Sequence, residues 1–152
     1  FPTMSLENPD RTGIAALRAM PLFAGISGHD LLAVARVGTW ETVPPGVTIT
    51  NQNQRHDHFF IIAEGTADVL FGPDDSLKLC SQLTVGDHFG EMALVFNSPC
   101  FATIRAATAM TLLVLQPAVF YELLTLMPVL RDRISHAGFQ RLDLQRQILA
   151  AS

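Results

Sequence analysis

The spacing of hydrophobic positions changes twice along this chain and divides it into two helical ends and a β-rich middle. Residues 1–38 carry apolar positions at helical spacing. A first helix is predicted to start at Asn8-Pro9-Asp10, and a second follows an N-cap at Ser27. The Pro21-Leu22-Phe23 run separates them, because a proline inside a helix removes a backbone hydrogen bond. This first segment is therefore predicted to be a helical bundle.

Residues 39–116 instead alternate short β-rich runs with turns that contain glycine and proline. The predicted strands are Trp40–Val43, Val47–Thr50, Phe59–Ile62, Thr66–Phe71, Leu77–Leu83, Thr103–Ala107 and Thr111–Leu115. A short helix beginning near Glu91 interrupts the series. Short strands at this spacing are typical of a sandwich or a barrel, so the predicted fold class is mainly β. We expect one domain, a jelly-roll-like β-barrel with flanking helices.

Helical spacing returns over residues 117–152, where Pro117 and Pro128 are each placed to begin a helix. The second of these two C-terminal helices is predicted to run to about Leu149, and Arg141 interrupts its apolar stripe. The apolar positions of that stripe are Leu130, Ile134, Ala137, Leu144 and Ile148. Their near-heptad spacing leaves two interpretations open, packing against the barrel or a homodimer formed through the C-terminal helix.

Composition and charge exclude two classes of protein. Hydrophobic residues make up 49% of the 152 residues and charged residues 16%, which is a globular composition and not a disordered one. The net charge is −4, and the ten basic residues are scattered, with Lys78 the only lysine. Nucleic-acid binding needs clustered positive charge that displaces counterions. We therefore expect no direct contact between this segment and nucleic acid.

Two cysteines, Cys80 and Cys100, are too few for a disulfide framework and form no CxxC pair for zinc. Two reduced thiols in a cytoplasmic protein are the expected state. No apolar run approaches the roughly 20 residues that span a bilayer, and no signal peptide is visible, so we expect no membrane contact by this segment. The chain begins at Phe1 and not at a methionine, which leads us to expect a segment of a longer protein.

The run Phe89-Gly90-Glu91-Met92-Ala93-Leu94 has the features of a site for a phosphate and a sugar hydroxyl. A helix N-terminus presents unpaired N–H groups and the positive end of a dipole, both of which suit an anion. Gly90 lets the backbone approach closely, and Ala93 leaves room. Glu91 suits an uncharged ribose hydroxyl, whose hydrogen bond a carboxylate accepts strongly. On spacing alone, a first-turn glutamate that complements the helix dipole is the simpler interpretation.

From about Pro21 to Pro128, the sequence resembles the cyclic nucleotide-binding domains of catabolite activators, protein kinase A regulatory subunits and cyclic nucleotide-gated channels. The family's phosphate cassette reads G-E-x-A-L and then P-R-x-A-[ST]. Residues 89–103 here contain Gly90-Glu91-Met92-Ala93-Leu94 and then, after Ser98, Pro99-Cys100-Phe101-Ala102-Thr103. Further matching residues are Pro21-Leu22-Phe23, Pro45-Gly46, Ile62, Gly65 and Gly86-Asp87.

The resemblance implies a role for each part of this cassette. Glu91 would hold the ribose 2′-hydroxyl, and the backbone N–H groups of Met92, Ala93 and Phe101 would face the cyclic phosphate. The final helix would lie over the base and move when ligand binds. The implied ligand-binding residues are Gly90, Glu91, Met92, Ala93, Cys100, Phe101 and Ala102. The implied protein is a regulatory module for cAMP or cGMP, without enzymatic activity or a tightly bound cofactor, that controls an effector domain of a larger parent protein.

Two departures from the family pattern affect the phosphate site. Cys100 stands where the family has an arginine that forks onto the phosphate, and losing such a contact costs about 2–4 kcal/mol, or roughly 30- to 1000-fold in affinity. Phe101 is larger than the residue usual there. Neither Arg105 nor Arg55 is clearly placed to compensate. We therefore expect binding of cAMP or cGMP to be weakened or lost. The change at Asn53, where a Gln-Gly turn is frequent, is minor because asparagine tolerates a left-handed backbone.

Three alternatives stay open. The domain can be a degenerate one that binds no nucleotide and serves in assembly or protein interaction. A cupin-like metal enzyme would use His56, His58 and Glu64, but their spacing does not fit, and a polar loop is the better interpretation. A transcription factor would need a helix-turn-helix domain after the last helix, and this chain stops near Ala151.

His88 lacks a candidate nucleophile and is expected in a surface turn.

Overall fold

The computed structural model describes the backbone of residues 9–55, 57–73, 75–95 and 99–151. Predictions that involve Asn8, His56, Asp74 and Ser98 lie outside these described residues. The N-terminal helices and the 3₁₀ turn between them are α1 (Pro9–Arg18), the turn (Pro21–Phe23) and α2 (Gly28–Val37). Ser27 caps α2 as predicted, because its side chain accepts a hydrogen bond from the backbone N–H of Asp30 at 3.2 Å.

The middle of the chain forms two antiparallel sheets of four strands each, which face one another as a jelly-roll-like barrel. The strands are β1 (Thr39–Val43), β2 (Thr48–Thr50), β3 (Phe59–Glu64), β4 (Ala67–Phe71), β5 (Lys78–Leu83), β6 (His88–Phe89), β7 (Thr103–Ala106) and β8 (Met110–Leu115). One sheet has the order β1-β8-β3-β6 and the other the order β2-β7-β4-β5. The predicted barrel is confirmed, and β6 is the strand that the sequence did not predict.

Strand β8 is buried along its whole length and separates two hydrophobic clusters. Leu112 and Val114 point into the barrel and pack with the side chains of Phe60 and other strand residues. Leu113 and Leu115 point the other way, into a cluster shared with the N-terminal and C-terminal helices. Successive strand residues face opposite sides, so this one strand holds the barrel and the helices together.

Two helices complete the chain, α4 (Pro117–Leu126) and α5 (Pro128–Ala151), and a short helix α3 (Glu91–Val95) interrupts the barrel as predicted. Leu130 and Ile134 of α5 are buried in the cluster beneath the helices. The guanidinium of Arg133 donates to the carbonyl oxygen of Leu22 in the 3₁₀ turn at 2.9 Å. This part of the apolar stripe packs against its own chain, and a homodimer through α5 stays a prediction. Within the described residues, no helix has the length and apolar character needed to cross a bilayer.

Two turns have backbone conformations that limit the choice of residue. Asn53 has a φ of 66°, which is the left-handed conformation that asparagine tolerates and that the sequence analysis anticipated. Gly65, between β3 and β4, has a φ of 91°, and a Cβ there would collide with the carbonyl oxygen of Ala109. A glycine is therefore required at this hairpin.

Replacing Leu113 with alanine should lower the free energy of unfolding by about 3 kcal/mol, because it removes a fully buried side chain and leaves a cavity beneath the helices. Chemical denaturation monitored by circular dichroism measures the change. Leu126→Ala is the matched control, since Leu126 is 67% exposed, and its effect should stay within about 0.5 kcal/mol. Equal effects of the two substitutions would contradict the proposed role of β8.

Candidate functional site

A cavity of about 430 Å³ lies between the β2-β7-β4-β5 sheet, the residues 89–103 cassette and helix α5. Cavities of this size accommodate small organic molecules. Six of the predicted site residues line it, namely Gly90, Glu91, Met92, Cys100, Phe101 and Ala102. Ala93 lies in α3. Helix α5 forms the opposite wall through Arg141, Leu144, Gln145 and Ile148. The structure thus brings the two halves of the cassette together beside the last helix.

Gly90 makes the sharp connection between strand β6 and helix α3. Its φ of 96° lies in the left-handed region, which a residue with a side chain adopts only with strain. The turn aims the start of α3 at the cavity and places Glu91 at the first helical position. A glycine is therefore needed for the cassette to have this shape.

Glu91 is completely buried, and both of its carboxylate oxygens have a partner. Oε1 forms an ion pair with Nη1 of Arg141, which comes from α5. Oε2 lies 3.3 Å from Nδ1 of His88. A glutamate that only complemented the dipole of α3 would stay in solvent, so that interpretation does not account for this position.

His88 does not lie in a surface turn, and that expectation is wrong. The residue belongs to strand β6, where the pairing with β3 directs its side chain inward. It is 6% exposed, and its ring packs on Phe59 with centroids 5.3 Å apart. The imidazole therefore contacts the carboxylate oxygen of Glu91 that Arg141 does not.

The electrostatics of Glu91 result from opposing effects. Burial alone would raise the pKa of its carboxyl group, because it disfavours the charged form. The hydrogen bond with His88 and the positive charge of Arg141 outweigh burial, so the pKa lies below its ordinary value of 4.5. Glu91 is therefore a carboxylate at neutral pH.

Arg141 is the site residue that the sequence analysis did not identify. Its side chain is 31% exposed, and its guanidinium reaches from α5 to a carboxylate fifty residues earlier in the chain. The sequence signal for Arg141 was its interruption of the apolar stripe of α5. A charged residue at a position that packs on the barrel needs a buried partner of opposite charge. Arg141 therefore fastens α5 to the cassette.

Cys100 is half-buried at the cavity wall and held by its backbone. Its carbonyl oxygen accepts a hydrogen bond from the N–H of Asn53 at 2.8 Å, and its own N–H donates to the carbonyl oxygen of Gln54 at 3.0 Å. Burial raises the pKa of the thiol to about 11. The hydroxyl of Thr50 lies close enough to lower this pKa slightly, but among the described residues it makes no hydrogen bond of normal geometry. This corner of the cavity is uncharged.

Phe101 is held against the cavity wall by an aromatic partner. Its ring stacks on that of Phe71 in β4, with centroids 4.6 Å apart and planes inclined by 17°. Arg105 is turned elsewhere, and its Nε donates to the hydroxyl of Thr48 at 3.4 Å. Neither Arg105 nor Arg55 is among the residues that line the cavity. The charged groups in its described lining are therefore Glu91 and Arg141.

The residues of the cupin interpretation are engaged in other contacts. The ring of His58 lies 6.4 Å from that of Phe60, and Glu64 accepts a hydrogen bond from the hydroxyl of Thr111 at 3.4 Å. His56 lies outside the described residues. Within the part of the chain that is described, no three His, Cys, Asp or Glu side chains come together as a metal site.

Replacing Glu91 with glutamine should lower the free energy of unfolding by about 2 kcal/mol near neutral pH, because Arg141 loses its charged partner in a poorly hydrated site. The folded-state pKa of Glu91 lies below 4.5. The stabilisation by the carboxylate is therefore complete above the unfolded-state pKa and is lost as the pH falls through the folded-state pKa. The difference between wild type and variant should shrink below pH 4.5, as urea unfolding at several pH values will show.

Glu122→Gln is the matched control for this experiment. Glu122 lies on α4 with its side chain exposed, so the same change of charge should alter the free energy of unfolding by less than about 0.5 kcal/mol. If the effect of Glu91→Gln were the same at every pH, the ionised pair would not be its cause.

Cys100 should react with iodoacetamide at least about tenfold more slowly than Cys80 in mildly alkaline buffer, because the thiolate is the reactive form and burial keeps Cys100 protonated. The variants Cys80→Ser and Cys100→Ser each leave one thiol, and mass spectrometry follows the reaction of each. Equal rates would show that Cys100 is as accessible and as ionised as an exposed thiol.

The family model described as "Cyclic nucleotide-binding domain" matches residues 40–126, which is more than half of the chain. A cyclic nucleotide-gated potassium channel of Rhizobium etli is 32% identical over 123 residues, covering 81% of this chain and 33% of the channel. A cAMP-dependent protein kinase regulatory subunit of Mycosarcoma maydis is 33% identical over 93 residues, covering 61% of this chain and 18% of that subunit. The chain thus spans about a third or less of these relatives.

Among solved structures, the regulatory domain of Toxoplasma gondii PKA with cAMP superposes with a TM-score of 0.76 at 24% identity. The match covers 87% of this chain and 50% of that one, and it shows the fold. It agrees with the barrel and the flanking helices described above. Taken with the match over residues 40–126, these findings show that the chain belongs to the cyclic nucleotide-binding domain family, a family of regulatory ligand-binding domains.

Proposed function

We propose that this chain is a ligand-sensing regulatory module that binds a cyclic nucleotide more weakly than relatives that keep the cassette arginine. The observation that carries the proposal is the cavity of about 430 Å³ between the sheet, the cassette and α5. The name of the Rhizobium etli relative, a cyclic nucleotide-gated channel, supports the ligand class. The module acts by binding and not by catalysis.

Glu91 is the proposed acceptor for a sugar hydroxyl. A carboxylate has about four lone-pair sites, and the described contacts with Arg141 and His88 leave capacity for a further donor. Those same contacts keep the carboxylate ionised and fix its direction. A hydroxyl that reaches the cavity lining can therefore donate to an acceptor that is already oriented.

The phosphate side of the cavity explains the proposed loss of affinity. Cys100 presents a neutral thiol where a guanidinium would form two charge-assisted hydrogen bonds. The ring of Phe101, stacked on Phe71, adds bulk at the same corner. Backbone N–H groups at the start of a helix can donate to an anion, but they supply no full positive charge. Binding of a cyclic phosphate is consequently weakened.

Regulation follows from the position of α5. This helix contributes Arg141, Leu144 and Ile148 to the cavity, so a ligand that contacts them changes the energy of the helix position. A change in α5 is then passed to an effector domain of the parent protein. The partner is therefore a covalently attached domain, and α5 is the element whose position ligand binding alters.

A non-binding assembly domain is the second candidate, and one observation favours it. Glu91 is fully buried and already paired in the described chain, so a ligand hydroxyl must compete for access to it. In that case the cavity would be a former ligand site that no longer binds nucleotide, and α5 would keep its position beside it. Titration of the chain with cyclic nucleotides separates the two candidates.

Replacing Cys100 with arginine should raise the affinity for cAMP by at least about tenfold, because the guanidinium restores a charge-assisted contact with the phosphate. Isothermal titration calorimetry of the two proteins measures the change directly. Cys100→Ser is the matched control, since it removes the thiol without adding a charge, and it should leave the affinity within about twofold.

If Cys100→Arg left the affinity unchanged, the cavity shape and not the missing charge would limit binding. The double variant Cys100→Arg with Phe101→Ala then shows whether the aromatic ring is the obstacle. Failure of the double variant to bind cAMP, with the fold intact by circular dichroism, would favour the assembly domain.

A further inference from the structure

The charge balance of the cavity points to a particular class of ligand. Its described lining contains one carboxylate and one guanidinium, and these two groups neutralise each other in the Glu91–Arg141 pair. The other lining residues are apolar or carry uncharged polar groups. A ligand that enters without disturbing the pair therefore meets a wall with no unpaired positive charge.

The corner at Cys100 provides uncharged polar atoms. The thiol is protonated, since burial raises its pKa to about 11. Beside it, the hydroxyl of Thr50 is 4% exposed, lines the cavity and makes no hydrogen bond of normal geometry within the described residues. A buried hydroxyl whose described interaction is a weak one with a thiol can be satisfied better by a neutral donor or acceptor on a ligand. An anion at the same place would lose its water and gain no counter-charge.

The remaining polar groups of the cavity also suit an uncharged polyol attached to a flat ring. The carboxylate of Glu91 accepts hydrogen bonds from hydroxyl groups. The amide of Gln145, on the α5 wall, can both donate to and accept from the edge of a base. Apolar side chains such as Leu83 and Ile148 provide the surface against which a flat ring packs.

We propose that this site prefers an uncharged nucleoside, in which a free hydroxymethyl group stands where a cyclic nucleotide carries its phosphate. The inference rests on the proposed function, because it uses the same cavity and the same sugar acceptor. It differs in the identity of the ligand, which is neutral. The preference arises because a nucleoside needs no counter-charge beside the intact Glu91–Arg141 pair, whereas a phosphate anion loses its water there and gains no counter-charge.

An anion could be bound in one other way, by drawing Arg141 away from Glu91. That exchange would leave a completely buried carboxylate with His88 as its described side-chain partner, at 3.3 Å. Removing one member of a buried pair is costly because the other remains charged and poorly solvated. The pair therefore acts against the cyclic nucleotide and leaves the nucleoside unaffected.

The test is calorimetric titration of the wild-type chain with adenosine, guanosine, cAMP and cGMP in one buffer. At least one nucleoside should bind about tenfold or more tightly than its own cyclic nucleotide. Cys100→Arg should reverse this order, and Cys100→Ser should preserve it. Circular dichroism verifies that both variants fold.

The outcomes separate this inference from the proposed function. If a cyclic nucleotide bound weakly but still more tightly than its nucleoside, the inference would be overturned and the proposed function would stand. The inference is also overturned if Arg141→Gln abolishes cyclic nucleotide binding while the matched surface variant Arg146→Gln does not, since Arg141 would then hold the phosphate. If none of the four compounds bound, both the inference and the proposed function would be wrong.

Discussion

The burial of the Glu91 carboxylate is the constraint on which the rest of the site depends. A buried charge is stable only with oppositely charged or hydrogen-bonding partners, and the barrel supplies His88 while the last helix supplies Arg141. This requirement draws α5 across the opening of the barrel and forms the cavity between them. The same ion pair thus determines where the helix lies, how the carboxylate is oriented and what net charge the described cavity lining carries.

The packing of the barrel against the helices gives α5 a rigid support. Alternate residues of β8 belong to two separate clusters, one inside the barrel and one beneath the helices. Close packing on both faces resists small displacements of the strand. Leu130 and Ile134 anchor α5 in the cluster beneath the helices, so the helix and the barrel interior pack on opposite faces of the same strand.

Local patterns were enough to predict most of the fold from the sequence. Alternating β-rich runs and glycine turns gave the strands to within a few residues, and Ser27, Asn53 and the helix-starting prolines act as local chemistry requires. Strand β6 escaped prediction because two residues contain no periodicity, and the inward direction of His88 depends on its pairing with β3. The partner of Glu91 lies fifty residues away, so no local pattern could identify it.

The left-handed turn at Gly90 and the guanidinium of Arg141 act on the same carboxylate from distant parts of the sequence. The turn at Gly90 positions the carboxylate, and the guanidinium of Arg141 neutralises its charge. The cassette and the last helix are consequently a single structural unit. A chimera that combines this cassette with the last helix of a relative would contain an uncompensated buried charge, unless the donor helix brought its own cation to the same turn.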